Sequence, residues 1–362
     1  DFCLSRGLGD VYKRQIIHLA IFNLAIATTS SVSNGLFNIT WTSEEGEIYL
    51  IENSTNLITD PFSNLLNDDV NATPPENNYQ ITTDKEVAFY RISEKIVLES
   101  DFTITQNWSQ ETNFERPVKV AIPNGSGPFP VVIHLHGFGG TGNVNAISYL
   151  NNVIRVAPDG YQNCWNIGKE PSKAPDVDFI RKIIQYLKLH SNVDGSRITV
   201  IGSSNGGALV NRLMIELEDN TFHQGIGIVS NMITNMFDGT NFRYDSSSES
   251  MLYDEIINPV TTRRMLTICG ELDTTVPYYG GTGVWQNQFY SAQESVYIWA
   301  THMGYSGSQI PDVDGVPYSE YNDLLEYSYL NGDIMHYKHV GKGHNAGAGI
   351  YVRNVIKEWI GY

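Results

Sequence analysis

The stretch Ile201-Gly-Ser-Ser-Asn-Gly-Gly207, IGSSNGG, sets two adjacent serines between glycines. A serine presented on a sharp strand-to-helix turn has glycine two residues before and two after it, G-x-S-x-G, because a Cβ at either place crowds the turning backbone. Only Ser204 has both, in Gly202 and Gly206, whereas Ser203 has Ile201 and Asn205 in those places. Short Gly/Ser runs also make plain turns, so the neighbouring segments decide.

Around this stretch the chain alternates short apolar runs with helical spacing. Val118–Ile122, Val131–Leu135, Ile154–Ala157, Ile198–Ile201, Ile226–Val229, Met265–Cys269 and Ile334–Val340 read as strands. Apolar residues at 177, 180, 184 and 187 predict a helix over Asp176–His190, and further helices are expected at about 206–218, 287–303 and 349–360. Continuous apolar strands separated by helices imply a largely parallel sheet covered on both faces. Ligands of such sheets lie beyond the carboxyl ends of the strands, so the residues that follow each strand matter most.

Four of those places carry polar chemistry. After Val131–Leu135 comes His136-Gly-Phe138-Gly-Gly140, a turn able to aim a backbone N–H at a developing oxyanion. After Ile198–Ile201 comes Ser204, with the Asn205 N–H at the helix start as a second donor. After Met265–Cys269 comes Gly-Glu-Leu-Asp273, and after Ile334–Val340 comes Gly-Lys-Gly-His344. The chain order serine, acid, histidine is that of an α/β-hydrolase fold. A hydroxyl needs a base to take its proton, which a neutral imidazole can do, and a carboxylate holds that imidazole in one tautomer. His344 and Asp273 are read in those parts. Asp238, Asp245 and Asp254 are rival acids. His134, His336 and His339 lie within strands and His190 and His302 near helix C-termini, so these five read as structural or exposed, while His136 abuts the oxyanion turn and is expected to shape it.

Composition bounds the rest. The chain has 362 residues, 41% of them hydrophobic, and a formal net charge of −17 with no basic run, which argues against a nucleic-acid partner. Of three cysteines, Cys164 and Cys269 lie far apart and are expected to be free thiols. No CxxC, HExxH or His-rich cluster suggests a metal, and the expected chemistry needs no cofactor. Residues 16–27, IIHLAIFNLAIA, are too short to span a bilayer and read as the apolar core of a secretory signal over 16–30, so the protein is expected to be secreted. The preceding CLSRGLGDVYKRQ resembles translated adapter or vector sequence, and residues 1–15 are set aside from the fold.

Residues 33–95 differ from all that follows. LFNITWTS, EIYLIENS, NYQITT and VAFYRIS are short segments rich in β-branched and aromatic residues, with a polar loop expected over Asn64–Asn78. They predict a small β-sandwich-like module before a hydrolase domain at 96–362. The pattern from Trp41 to Leu57, W-x-S-x-x-G-x-x-Y-x-x-x-x-S-T-x-L, resembles fibronectin-type-III-like modules of secreted bacterial hydrolases. That resemblance implies a spacer or a module that binds an insoluble polymer.

The segments PDG at 158–160 with Trp165-Asn166, DVDFIRKIIQYL, NVDGSRITVIGSSNGG, ELDTTVPYYGG and GKGH, in this order, resemble the extracellular polyhydroxybutyrate depolymerase and feruloyl esterase family of α/β-hydrolases. The resemblance spans roughly 100–360. It implies a serine esterase with Ser204 as nucleophile, Asp273 as acid, His344 as base, the N–H groups of Phe138 and Asn205 as oxyanion hole, and Trp165, His136 and Tyr278 on the substrate side. The expected partner is an ester of a plant polysaccharide or a hydroxyalkanoate polyester. The chain departs from the pattern at Cys269, where the family commonly has histidine, and at Asn345-Ala-Gly-Ala-Gly349, where an aromatic-proline pair is usual. A peptidase on the same fold and a non-catalytic polymer-binding protein are the competing readings.

Overall fold

A computed structural model describes residues 16–19, 28–33, 36–54, 64–82, 87–219, 221–247 and 249–362. It divides into two compact units, Asp1–Val97 and Leu98–Tyr362. Residues 1–15 and most of the expected signal segment lie outside the described residues. Among the described residues no helix is long and apolar enough to cross a membrane.

Among its described residues the first unit has only β-strands as regular elements. One sheet runs in the order Ile16–Leu19, Val87–Glu94, Ile48–Ser54, Asn64–Asn71, and a second in the order Thr28–Ser33, Leu36–Thr42, Glu76–Ile81. In Leu36–Thr42 and in the first part of Ile48–Ser54 alternate residues are buried, as a pleated strand with one buried face requires. Phe37, Ile39 and Trp41 from the second sheet meet Tyr49, Ile51, Tyr90 and Ile92 from the first. Trp41 packs edge-on against Tyr49 at 5.3 Å, and Phe37 stacks on Tyr90 at 5.2 Å. The expected loop over Asn64–Asn78 is instead largely strand, because Asn64–Asn71 pairs antiparallel with Ile48–Ser54 at the rim of its sheet. A strand with a single partner can stay polar, so periodicity alone does not betray it.

In the second unit ten strands form one sheet. In chain order they are β1 (Phe102–Trp108), β2 (Glu111–Ala121), β3 (Phe129–Leu135), β4 (Ile154–Pro158), β5 (Val193–Ser203), β6 (Gln224–Ile228), β7 (Arg264–Gly270), β8 (Val316–Tyr318), β9 (Tyr321–Tyr329) and β10 (Ile334–His339). Their spatial order is β1-β2-β4-β3-β5-β6-β7-β10-β9-β8. The central pairs from β4 to β10 are parallel, and the outer pairs on both sides are antiparallel. This is the α/β-hydrolase fold. Strands β1, β8 and β9 carry no clear apolar run; in β9 Leu324, Tyr327 and Tyr329 are buried among polar neighbours, which hides the strand from periodicity.

The helices are α1 (Asp176–Leu187), α2 (Asn205–Glu216), α3 (Ala292–His302) and α4 (Ile350–Ile360). Side chains of the central strands alternate between two cores. Val131, Ile133, Ile198 and Val200 meet Phe179, Ile183, Leu209, Leu213 and Trp299 on one face. Val132, Ile226, Leu266 and Ile268 meet Val352, Val355, Ile356 and Trp359 on the other. Each such fully buried aliphatic side chain contributes roughly 1.5–3 kcal/mol. Helix α3 starts at 292 rather than 287 because Ser291 caps it: its hydroxyl accepts the Glu294 N–H at 3.1 Å and the Glu294 carboxylate accepts the Ser291 N–H at 3.0 Å.

The buried histidines make stability depend on pH. Burial pushes His134 down to about 4 and His336 down to about 3, and it also lowers His136 and His223. An unfolded chain takes up these protons below about pH 6.5, and the folded chain refuses them until lower pH. The neutral form therefore stabilises the fold fully above that pH, and the contribution is lost as pH falls toward the folded values. His134 and His336 should each remove about 1.4 kcal/mol per pH unit across the window. Buried Glu170, whose carboxyl is raised mainly by burial, acts in the opposite sense and offsets part of the loss. Urea unfolding between about pH 6.5 and 5, above most carboxylate titration, should show stability falling with pH; a flat profile there would contradict the buried neutral histidines.

Candidate active site

Strand β5 ends at Ser203, and the next residue makes the turn into α2. Ser204 stands there with φ 53° and ψ −118°, a conformation that costs a non-glycine residue energy and places its side chain at the apex of the turn. Its N–H donates to the Ile228 carbonyl at 2.8 Å and its carbonyl accepts from Ala208 at 2.9 Å, so both neighbours hold the strained turn. The flanking glycines are needed for close approach: a Cβ on Gly202 would collide with the Gly206 carbonyl, and one on Gly206 with the carbonyls of Leu135 and His136. The second contact presses the serine turn against the loop that follows β3.

His344 lies in the loop after β10, and Asp273 in the loop after β7. The Ser204 hydroxyl donates to His344 Nε2 at 2.8 Å, and His344 Nδ1–H donates to Asp273 Oδ2 at 2.7 Å. The second carboxylate oxygen accepts the N–H groups of Thr275 at 2.9 Å and Val276 at 3.0 Å. Asp273 is thereby oriented from both sides, with a side chain 1% exposed against 30% for His344. The Leu272 N–H donates to the Lys342 carbonyl at 2.8 Å, which fixes one loop on the other. The rival acids serve their own loops. Asp238 binds Arg243 and two local N–H groups, Asp254 binds Ser246, and both oxygens of Asp245 are taken within residues 247–252.

The turn after β3 is held from behind. His136 Nε2 accepts the Gly160 N–H at 3.0 Å, so its Nδ1 carries the proton and donates to the Gly137 carbonyl at 2.8 Å. Burial keeps this ring neutral by lowering its pKa. A trans peptide points its N–H opposite its C=O, so the Phe138 N–H is directed away from His136. Gly137 itself lies against the serine, where a Cβ would stand 3.6 Å from the Ser204 Cβ.

Of the residues expected on the substrate side, Trp165 and Tyr278 are interior instead, 0% and 1% exposed. Trp165 Nε1–H donates to the His136 carbonyl at 2.8 Å, so the indole supports the turn from beneath. The Tyr278 hydroxyl meets His336 at 3.2 Å and Asp312 at 3.3 Å within the fold. His136, 5% exposed, acts on the Gly137 peptide in the same supporting way. Cys164 and Cys269 are both buried free thiols, pushed up to about 11 and about 12 by burial.

Other residues at the site have no motif to announce them. The Asn205 side chain accepts the Trp165 N–H at 2.7 Å and donates to the Trp165 carbonyl and to Glu170, each at 3.0 Å. The second Glu170 oxygen accepts the N–H groups of Ile167 and Gly168. A buried ion pair, Arg116 to Asp176 at 2.6 Å, lies close by, and Asp176 also accepts the Asn166 N–H at 2.6 Å. The loop between β4 and α1 is thus tied to the residue that follows Ser204.

An α/β-hydrolase sheet carrying a serine, a histidine and a carboxylate in hydrogen-bonded sequence has the makeup of a serine hydrolase. Sequence comparison agrees in class: residues 165–311 match the prolyl oligopeptidase family, a segment that holds Ser204 and Asp273 and stops short of His344. No curated protein matches the chain in sequence. Among solved structures, the chain is similar to an acetyl xylan esterase from Aspergillus awamori, at 17% identity over 73% of this chain and 99% of that one, with a TM-score of 0.49. It is also similar to a poly(3-hydroxybutyrate) depolymerase from Bordetella parapertussis, at 15% identity over 68% and 83% of the two chains, TM-score 0.42. Esterase 2 from Thermogutta terrifontis is similar at 14% identity over 72% and 93%, TM-score 0.43. None of these likenesses specifies a substrate.

Proposed function

We propose that this protein is a serine esterase that cleaves carboxylic esters through an acyl-enzyme. The observation that carries the reading is the continuous chain from Ser204 Oγ through His344 to Asp273, at 2.8 and 2.7 Å. His344 accepts the serine proton as Oγ attacks the ester carbonyl, and the Phe138 and Asn205 N–H groups receive the oxyanion. The imidazolium then protonates the leaving alcohol. Water, deprotonated by the same imidazole, attacks the acyl-serine and releases the acid. The favoured substrates are feruloyl or acetyl esters of plant polysaccharide and hydroxyalkanoate polyesters. The purified chain should hydrolyse p-nitrophenyl acetate and butyrate, and methyl ferulate, acetylated xylan and a hydroxybutyrate film would then rank the natural classes. No turnover of any of these esters would remove the esterase reading.

The match of residues 165–311 to the prolyl oligopeptidase family favours a second reading, a peptidase. The sequence offers no charged subsite to hold a peptide terminus. Peptide p-nitroanilides decide the matter: turnover of these without turnover of esters would establish the peptidase.

A further inference from the structure

Between the acid loop and α3 the chain makes a short hairpin, Gly281–Thr282 paired with Gln288–Phe289, whose tip holds Trp285. The tip is fastened to two loops of the site. The Val284 N–H donates at 2.8 Å to the carbonyl of Thr275, whose own N–H helps to orient Asp273. Lys169, from the loop tied to Asn205, donates to the carbonyls of Trp285 and Gln286, each at 3.0 Å. Trp285 sits at φ 54°, a conformation unfavourable for a bulky side chain, and these clamps hold it there. Its ring then meets Phe138 edge-to-face, with centroids 4.8 Å apart and planes at 85°.

Phe138 supplies the proposed oxyanion N–H, so a carbonyl seated there has its substituents within reach of the Phe138 ring. Phe138 remains 53% exposed even with Trp285 against its ring. On the histidine side, the segment Asn345–Gly349 offers only small side chains. Resting on the esterase reading, we infer that Phe138 and Trp285 form the specificity wall of the cleft, receiving a flat apolar substituent bonded to the reacting ester group. Trp285 is the determinant of the pair, because it can change without altering the oxyanion peptide.

The test compares methyl cinnamate, flat on the acyl side, phenyl acetate, flat on the alcohol side, and ethyl acetate, flat on neither. Trp285→Ala should lower kcat/KM for one or both aromatic esters relative to ethyl acetate by roughly tenfold, chiefly through KM, with Trp285→Phe restoring most of it. Loss confined to methyl cinnamate places the wall on the acyl side, and loss confined to phenyl acetate places it on the alcohol side. An unchanged ratio, or an equal loss on all three esters, overturns the inference. Calorimetric titration of the Ser204→Ala protein with the two aromatic esters gives a readout without turnover: adding Trp285→Ala should weaken at least one Kd about tenfold. If the wild type hydrolyses no ester the esterase reading fails, while the titration still decides the wall; unchanged Kd values remove it.

Discussion

Ser204→Ala is expected to lower kcat for p-nitrophenyl butyrate by on the order of 10⁴- to 10⁶-fold, while Ser203→Ala keeps most of the activity. The two serines are adjacent but sit in different backbones. Ser203 is the last residue of β5 and is still paired in register with Ile228. Ser204 has left the strand, and its hydroxyl alone donates to His344. Removing that oxygen leaves no atom to form the acyl-enzyme, and the residual rate is that of water in a site that still binds the oxyanion. Both variants should unfold at wild-type urea concentrations within experimental spread, so that lost activity is not lost folding. A dead Ser203→Ala protein beside an active Ser204→Ala protein would place the nucleophile one residue earlier.

Asp273→Asn is expected to cost roughly 10⁴-fold in kcat. The amide is nearly isosteric, and its oxygen can still accept the Thr275 and Val276 N–H groups, which directs the NH2 toward His344 Nδ1. A donor facing Nδ1 forces the imidazole to carry its proton on Nε2, where it can no longer accept from Ser204. The loss thus comes from the wrong tautomer rather than from a missing contact. Asp245→Asn is the matched control, since that carboxylate is held within its own loop by Ser247, Ser250, Met251 and Leu252. Near-normal turnover in Asp273→Asn together with a dead Asp245→Asn protein would move the acid to the other loop.

The sheet was legible where both faces of a strand are covered, because burial on two faces makes an uninterrupted apolar run, as in Val131–Leu135 and Ile198–Ile201. It was illegible toward the rims: β1 and β8 have one neighbour each, and β9, paired on both sides, is only partly buried, which leaves mixed residues in all three. The polar strand Asn64–Asn71 escaped for the same reason.

Residue type and position after a strand pointed to Ser204, Asp273 and His344 as candidates, because the fold puts the strand ends on one edge, and the structure joins the three side chains by hydrogen bonds. The sequence also determined the strained turn, through Gly202 and Gly206. Only the tertiary structure decided which aromatics are buried and which meet the loop after β3. Trp165 and Tyr278 have the chemistry of a binding wall and are buried beneath the site, while Trp285, in a hairpin without a motif, is carried to Phe138 by bonds to Thr275 and Lys169. Glu170 likewise became part of the site only by meeting Asn205. A motif records what one local backbone needs, whereas burial is set by which distant segments pack against it, and that is settled only when the whole chain has folded.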